Sequence, residues 1–216
     1  MYKESRASSG VTGGLLEQEL LGKIDEKKYL QEARRHLTEK HHLPKPVLNE
    51  YERMVEYENV QYNFSRLLKE MVMSRENVNF IDYKTSLELV KACQPDGSSP
   101  ERPRGFFGRS LFQKIKEELD KLGQYKLEYF SAVGSHLDTK HGVDAFFRVG
   151  DSSGKELAIA TLDVTMNPNK SGGYKADSVA LFPGGGLDPA EDREEYLVQV
   201  KNTFQELWGK IAANLK

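Results

Sequence analysis

The chain has a single cysteine, Cys93, among its 216 residues. Intramolecular disulfides are therefore excluded, and a lone thiol fits a reducing interior, so the expected location is the cytoplasm. No apolar run approaches the roughly 18 residues of a membrane span, so no membrane partner is expected. The opening MYKESRASSGVTGG has charges with no apolar stretch behind them and is not expected to be a secretory signal. An excess of one charge sign is also missing: 31 Lys and Arg stand against 33 Asp and Glu, a formal net charge of −2. No global basic field announces a polyanionic partner, and any such contact needs a local patch. Several catalytic signatures are lacking as well. PGGG, residues 183–186, has neither the lysine nor the hydroxyl of a phosphate-binding loop and reads as a turn. No Ser/His/Asp or Cys/His arrangement has a recognisable local context, and Cys93 is not expected to be a nucleophile.

What is present is an ordinary folded-chain mixture, 38% hydrophobic and 30% charged. Residues 1–14 are rich in Ser and Gly and read as a tail. From Leu15, apolar residues recur at helical spacing: Leu16, Leu20 and Ile24, then Tyr29 or Leu30, Ala33 and Leu37. Gly22 and Asp25 are positioned to split this run into two helices. Pro44 and Pro46 break it, and the period resumes over Val47, Leu48, Tyr51, Met54 and Val55, then Leu67, Leu68, Met71 and Val72. A further helix is expected to carry Tyr83, Leu87 and Val90. Residues 15–93 therefore read as a helical module. QPDGSSPERPRG, residues 94–105, is the clearest change of composition and reads as a linker. Residues 106–216 form the expected second domain.

That second part is mixed. RSLFQKIKEELDKL predicts a helix with Leu111, Ile115, Glu118 or Leu119, and Leu122 on one side, ended by Gly123. KLEYFSAVG, GVDAFFRV and ELAIATLDVT read as strands, and SVALF as a fourth. A last helix is expected to start with Asp188 as cap and Pro189 in its first position. Its stripe is Leu197, Val200, Phe204, Leu207, Trp208, Ile211 and Leu215. Helix, four strands, helix is an α/β pattern.

The stretch from Gly134 to Lys175 carries the strongest chemical signal. Asp144 opens one apolar strand and Asp163 closes the next. A carboxylate on an apolar strand is costly to bury unless it is paired, hydrogen-bonded or bound to a metal. Two on consecutive strands can converge, and a divalent cation such as Mg²⁺ would relieve their repulsion. Asp138 lies close before Asp144 and is an alternative acid. His136 and His141 flank it in the pattern HxDxxH, which reads more simply as loop histidines than as a transition-metal site.

A helix followed by strands bearing Gly142-Val143-Asp144 and Asp163-Val164-Thr165 resembles the PD-(D/E)XK, restriction-endonuclease-like superfamily. The resemblance covers about half the chain, from the helix at Arg109 onward. It implies a mixed sheet flanked by helices and a Mg²⁺ or Mn²⁺ ion held by Asp144, Asp163 and an acid from the first helix. Glu118 matches that helical acid, with Glu117 as the fallback. The family has a lysine where this chain has Thr165; Lys170 and Lys175 lie just beyond and are the candidates to replace it. The implied reaction is phosphodiester hydrolysis, on DNA rather than RNA, with Arg102, Arg104, Arg109, Lys114 and Lys116 available to the phosphate backbone. The rival reading is a catalytically inactive nuclease fold, or another α/β binding or assembly protein, with the N-terminal helices as an interaction module or homodimer contact.

Overall fold

The apolar alternation of the second half becomes one sheet in the computed structural model, which describes residues 13–40, 81–167 and 176–215. The helices expected over residues 47–72 lie outside the described residues, as do Lys170 and Lys175. The strands are β1 (Lys126–Ser131), β2 (Ala145–Gly150), β3 (Glu156–Thr165) and β4 (Ser178–Leu181), in the spatial order β1-β2-β3-β4. β1–β2 and β2–β3 are antiparallel, and β3–β4 is parallel. The described helices are α1 (Gly13–Leu21), α2 (Glu26–Lys40), α3 (Tyr83–Ala92), α4 (Phe106–Leu122), α5 (His136–His141) and α6 (Arg193–Asn214). This is the α/β architecture that the pattern predicts.

The strand period of two divides the helices between the faces of the sheet. Leu127, Tyr129, Phe147, Val149, Ala158, Ala160, Leu162 and Val164 point to one side, where they pack with apolar residues of α1, α4 and α6. Phe130 and Phe146 point to the other, against α2, α3 and α5. Strand β3 is covered on both faces, and this is why ELAIATL reads as nearly continuous rather than alternating. Burying each large apolar side chain in these two layers is worth about 1.5–3 kcal/mol.

The break between α1 and α2 falls where Gly22 and Asp25 predict it. Gly22 takes a positive φ of 79°, and Asp25 Oδ1 accepts the Lys28 amide at 3.0 Å. Residues 94–105 run along the outer edge of β1. The Tyr129 backbone amide donates to the Pro100 carbonyl at 2.8 Å, and the Gln94 side-chain Nε2 donates to the carbonyl of Ser131 at 2.9 Å. Gly105 is buried so tightly against α1 that a Cβ there would lie 2.3 Å from the Leu20 carbonyl oxygen. Helices from before this stretch and strands from after it share both cores.

Two local expectations are corrected. The last helix begins at Arg193, not beside Asp188. Asp188 Oδ1 accepts the amides of Ala190 and Glu191 at 2.7 and 3.2 Å, so it closes a separate turn before the helix. The buried stripe of α6 is Tyr196, Val200, Thr203, Leu207 and Ile211, and Leu197 faces solvent at 48% exposure. Residues 136–141, read as a loop, form α5. Its signal is Ser135 followed three residues later by Asp138: the Ser135 hydroxyl accepts the amides of Leu137 and Asp138, and Gly142 ends the helix at φ 65°.

Candidate metal centre

The end of the sheet where β1 finishes and β2 begins gathers the acidic residues. Asp144 sits one residue before β2. Its carbonyl accepts the Ala132 amide at 2.7 Å, and its amide donates to the Leu162 carbonyl at 2.9 Å. Its side chain then acts as backbone would: Oδ2 accepts the Val164 amide at 2.7 Å. These bonds hold Asp144 at 3% exposure.

Two further carboxylates reach it from separate elements. Asp138 projects from α5, where its Oδ2 accepts the Gly134 amide at 2.9 Å. Glu17 projects from α1. One carboxylate oxygen from each of Glu17, Asp138 and Asp144 lies within 4.8 Å of the other two. Glu17 and Asp138 are half-buried at the rim, with Asp144 beneath them.

Electrostatics follow from that packing. The Asp144 carboxyl is pushed up to about 9, first by burial and then by the charges of Glu17, Asp138 and Asp163; the Val164 amide opposes the shift. A buried carboxyl among like charges keeps its proton unless a cation arrives to replace it. The donor set suits such a cation. All three donors are carboxylate oxygens, which match Mg²⁺, Mn²⁺ or Ca²⁺. Around Mg²⁺, with bonds of about 2.1 Å, neighbouring ligand oxygens stand about 3.0 Å apart and opposite ones about 4.2 Å, both inside the 4.8 Å that bounds the three oxygens here. Asp138 and Asp144 are each oriented by a backbone amide, the kind of outer support that fixes ligand direction.

The other expected site residues fall as follows. Asp163 is 4% exposed and lies on β3 between Leu162 and Val164, close enough to raise the Asp144 carboxyl, but it is not one of the three converging acids. Glu118 is on α4, where its carboxylate pairs with Lys121 at 2.6 Å, and it does not join them either. Glu117 accepts from Gln113 on the same helix. The Thr165 hydroxyl accepts the Asn167 amide at 3.2 Å. Asp138, the alternative acid of the sequence reading, is in the group. Glu17 was not singled out, because a charge on an amphipathic helix carries no mark that separates it from its solvated neighbours.

Neighbouring polar residues have structural partners. The Tyr29 hydroxyl accepts the His136 amide at 3.0 Å, and burial raises it to about 12. His141 is buried with Nε2 2.9 Å from the Ile81 carbonyl oxygen. Cys93 is fully buried and its thiol is pushed up to about 11 by that burial, which fits a packing role.

Fold and site together define an α/β protein with a four-stranded mixed sheet between two helical layers and a carboxylate cluster at one sheet end. Comparison with protein-family models, curated proteins and solved structures finds no match. None of the described helices is long and apolar enough to cross a membrane.

Proposed function

We propose that this protein is a divalent-cation-dependent hydrolase of phosphodiester bonds in nucleic acid, DNA before RNA, on a restriction-endonuclease-like core. The observation that carries the reading is the convergence of Glu17, Asp138 and Asp144 from α1, α5 and the start of β2. Mg²⁺ or Mn²⁺ bound there would activate water and stabilise charge on a phosphodiester. Asp144 would supply the most deeply buried carboxylate, and its Val164 bond fixes the direction of that group. Glu17 and Asp138 close the rim, and Asp163 adds negative charge behind Asp144. Steadying the phosphate is assigned to Lys170 or Lys175.

The test is cleavage of single-stranded DNA, double-stranded DNA and RNA with Mg²⁺ or Mn²⁺, comparing wild type with Asp144→Asn and Asp163→Ala. Metal-dependent cleavage by the wild type that Asp144→Asn abolishes supports the assignment. Cleavage that survives Asp144→Asn removes it. A second reading, a metal-stabilised binding or assembly protein without catalysis, is favoured by Thr165, whose hydroxyl is engaged in its own turn and brings no positive charge. Metal-dependent stabilisation with no cleavage of any of these substrates would select it.

A further inference from the structure

At the sheet end opposite the carboxylate cluster, a groove of about 620 Å³ opens between α4, the start of β1 and the turn joining β2 to β3. Its size falls in the range of about 300–1,000 Å³ that holds small ligands. The floor is apolar, with Phe112 and Leu127 buried and Tyr125 partly exposed along the wall. Three cations stand around it, Arg102, Lys116 and Lys126. Ser152 and Ser153 line the remaining side.

Two acids share the lining, Glu101 and Asp151. Asp151 is turned to its own loop: Oδ1 accepts the Ser153 hydroxyl at 2.6 Å and the amides of Ser153 and Lys155 at 2.9 and 3.0 Å. Lys116 pairs with Asp120 at 3.1 Å and Lys126 with Glu128 at 2.9 Å. The Lys116–Asp120 pair is exposed on both sides and weak, so its ammonium is free to turn toward a bound anion. Glu128 is largely buried and shared with Arg148, so Lys126 stays beside it and offers its remaining N–H donors. A simple anion would have no use for the apolar floor, and an apolar ligand none for the cations. A phosphate joined to a planar ring uses both.

We propose that this groove binds one nucleotide unit, with its phosphate against Arg102, Lys116 and Lys126 and its base against Tyr125 and Phe112. Aromatic stacking with a cationic track is how proteins hold nucleotides without reading sequence. Four residues of β1, Glu128 to Ser131, lie between the groove-lining Leu127 and the Asp144 end of the sheet, roughly 13 Å at the usual strand rise. The groove is therefore an anchor, distinct from the reacting centre, and its binding needs no metal. A free nucleotide and a nucleotide within a strand present the same chemistry.

The experiment is fluorescence anisotropy in EDTA, with a labelled oligothymidylate of about 12 nucleotides as probe and AMP as competitor. The wild type binds the probe, and affinity falls as salt rises. The double variant R102E/K126E loses about tenfold or more, and Tyr125→Leu, which keeps the apolar packing, weakens binding by a smaller factor. Displacement by AMP identifies a free-nucleotide site, and binding of the oligonucleotide alone identifies a strand site; either supports the proposal. Absence of binding to both ligands, or binding that survives R102E/K126E unchanged, overturns it. Asp144→Asn binds as wild type does, so failure of the metal centre and failure of the groove are read separately.

Discussion

Asp144 Oδ2 accepts the Val164 amide at 2.7 Å, one step beyond Ala145↔Leu162, the last pair of the β2–β3 register. The side chain thereby extends the ladder past the end of the main-chain pairing. The residue has two duties: one oxygen holds the two strands together, and the carboxylate belongs to the acidic cluster. The two duties are separable by substitution.

Asp144→Asn keeps an acceptor for Val164 and needs no bound proton to be neutral when buried, so the folded protein without metal melts at or above the wild-type temperature. Asp144→Ala leaves a buried amide without its acceptor and costs about 1–3 kcal/mol. Thermal melts of the two variants in chelator check this. A greater loss in the Asn variant than in the Ala variant would contradict the role given to this hydrogen bond.

Stability without metal depends on pH in a stated direction. The Asp144 carboxyl is raised from its usual value to about 9 by burial and by Glu17, Asp138 and Asp163. The native state therefore holds a proton that the unfolded chain releases near pH 4. That contribution is complete below about pH 4 and is lost as pH rises to about 9, with a slope of up to about 1.4 kcal/mol per pH unit. Urea denaturation in chelator from pH 5 to about 9 should show stability falling as pH rises, and Asp144→Asn should flatten the profile.

Metal binding should raise the melting temperature, because an ion that binds only the native state at about 100 times its Kd adds about 2.7 kcal/mol. The ion must displace the Asp144 proton, so affinity should rise with pH up to about 9. Glu17→Gln and Asp138→Asn should reduce the metal-induced shift. Glu118→Gln should leave it unchanged, since Glu118 pairs with Lys121 on α4. Calorimetric titration with Mg²⁺ and Mn²⁺ checks all three variants.

Close approach of backbones makes Gly105 a sensitive position. Its Cβ would meet the Leu20 carbonyl oxygen at 2.3 Å, so Gly105→Ala must push α1 away from the start of α4. Overpacking of this kind costs about 1–3 kcal/mol. Because α1 carries Glu17, the same change should also weaken the metal-induced rise in melting temperature. Gly14→Ala, at an open position on the same helix, is the control.

Much of the framework was legible because it rests on local rules. The period of two in GVDAFFRV, the stripe of α4 and its Gly123 end follow from side-chain direction and backbone freedom. Consecutive strands joined by the polar turn DSSGK pair as neighbours, so the closeness of Asp144 and Asp163 was also within reach of the sequence. The start of α6 was missed because Asp188 caps whatever follows it, and a short turn uses the same amides as a helix.

The amino-acid sequence by itself determined the four strands, the course of α1 to α4, the α/β class and the presence of acids on apolar strands. Only the tertiary structure decided which acids meet. Helical periodicity tells which side of α1 is apolar and turns inward, but not which carboxylate lies beside the border of that face. Docking α1 on the sheet brings Glu17, rather than Glu118, to Asp138 and Asp144. The raised Asp144 carboxyl is a product of the same packing, since burial and neighbouring charge exist only once the three elements are in place.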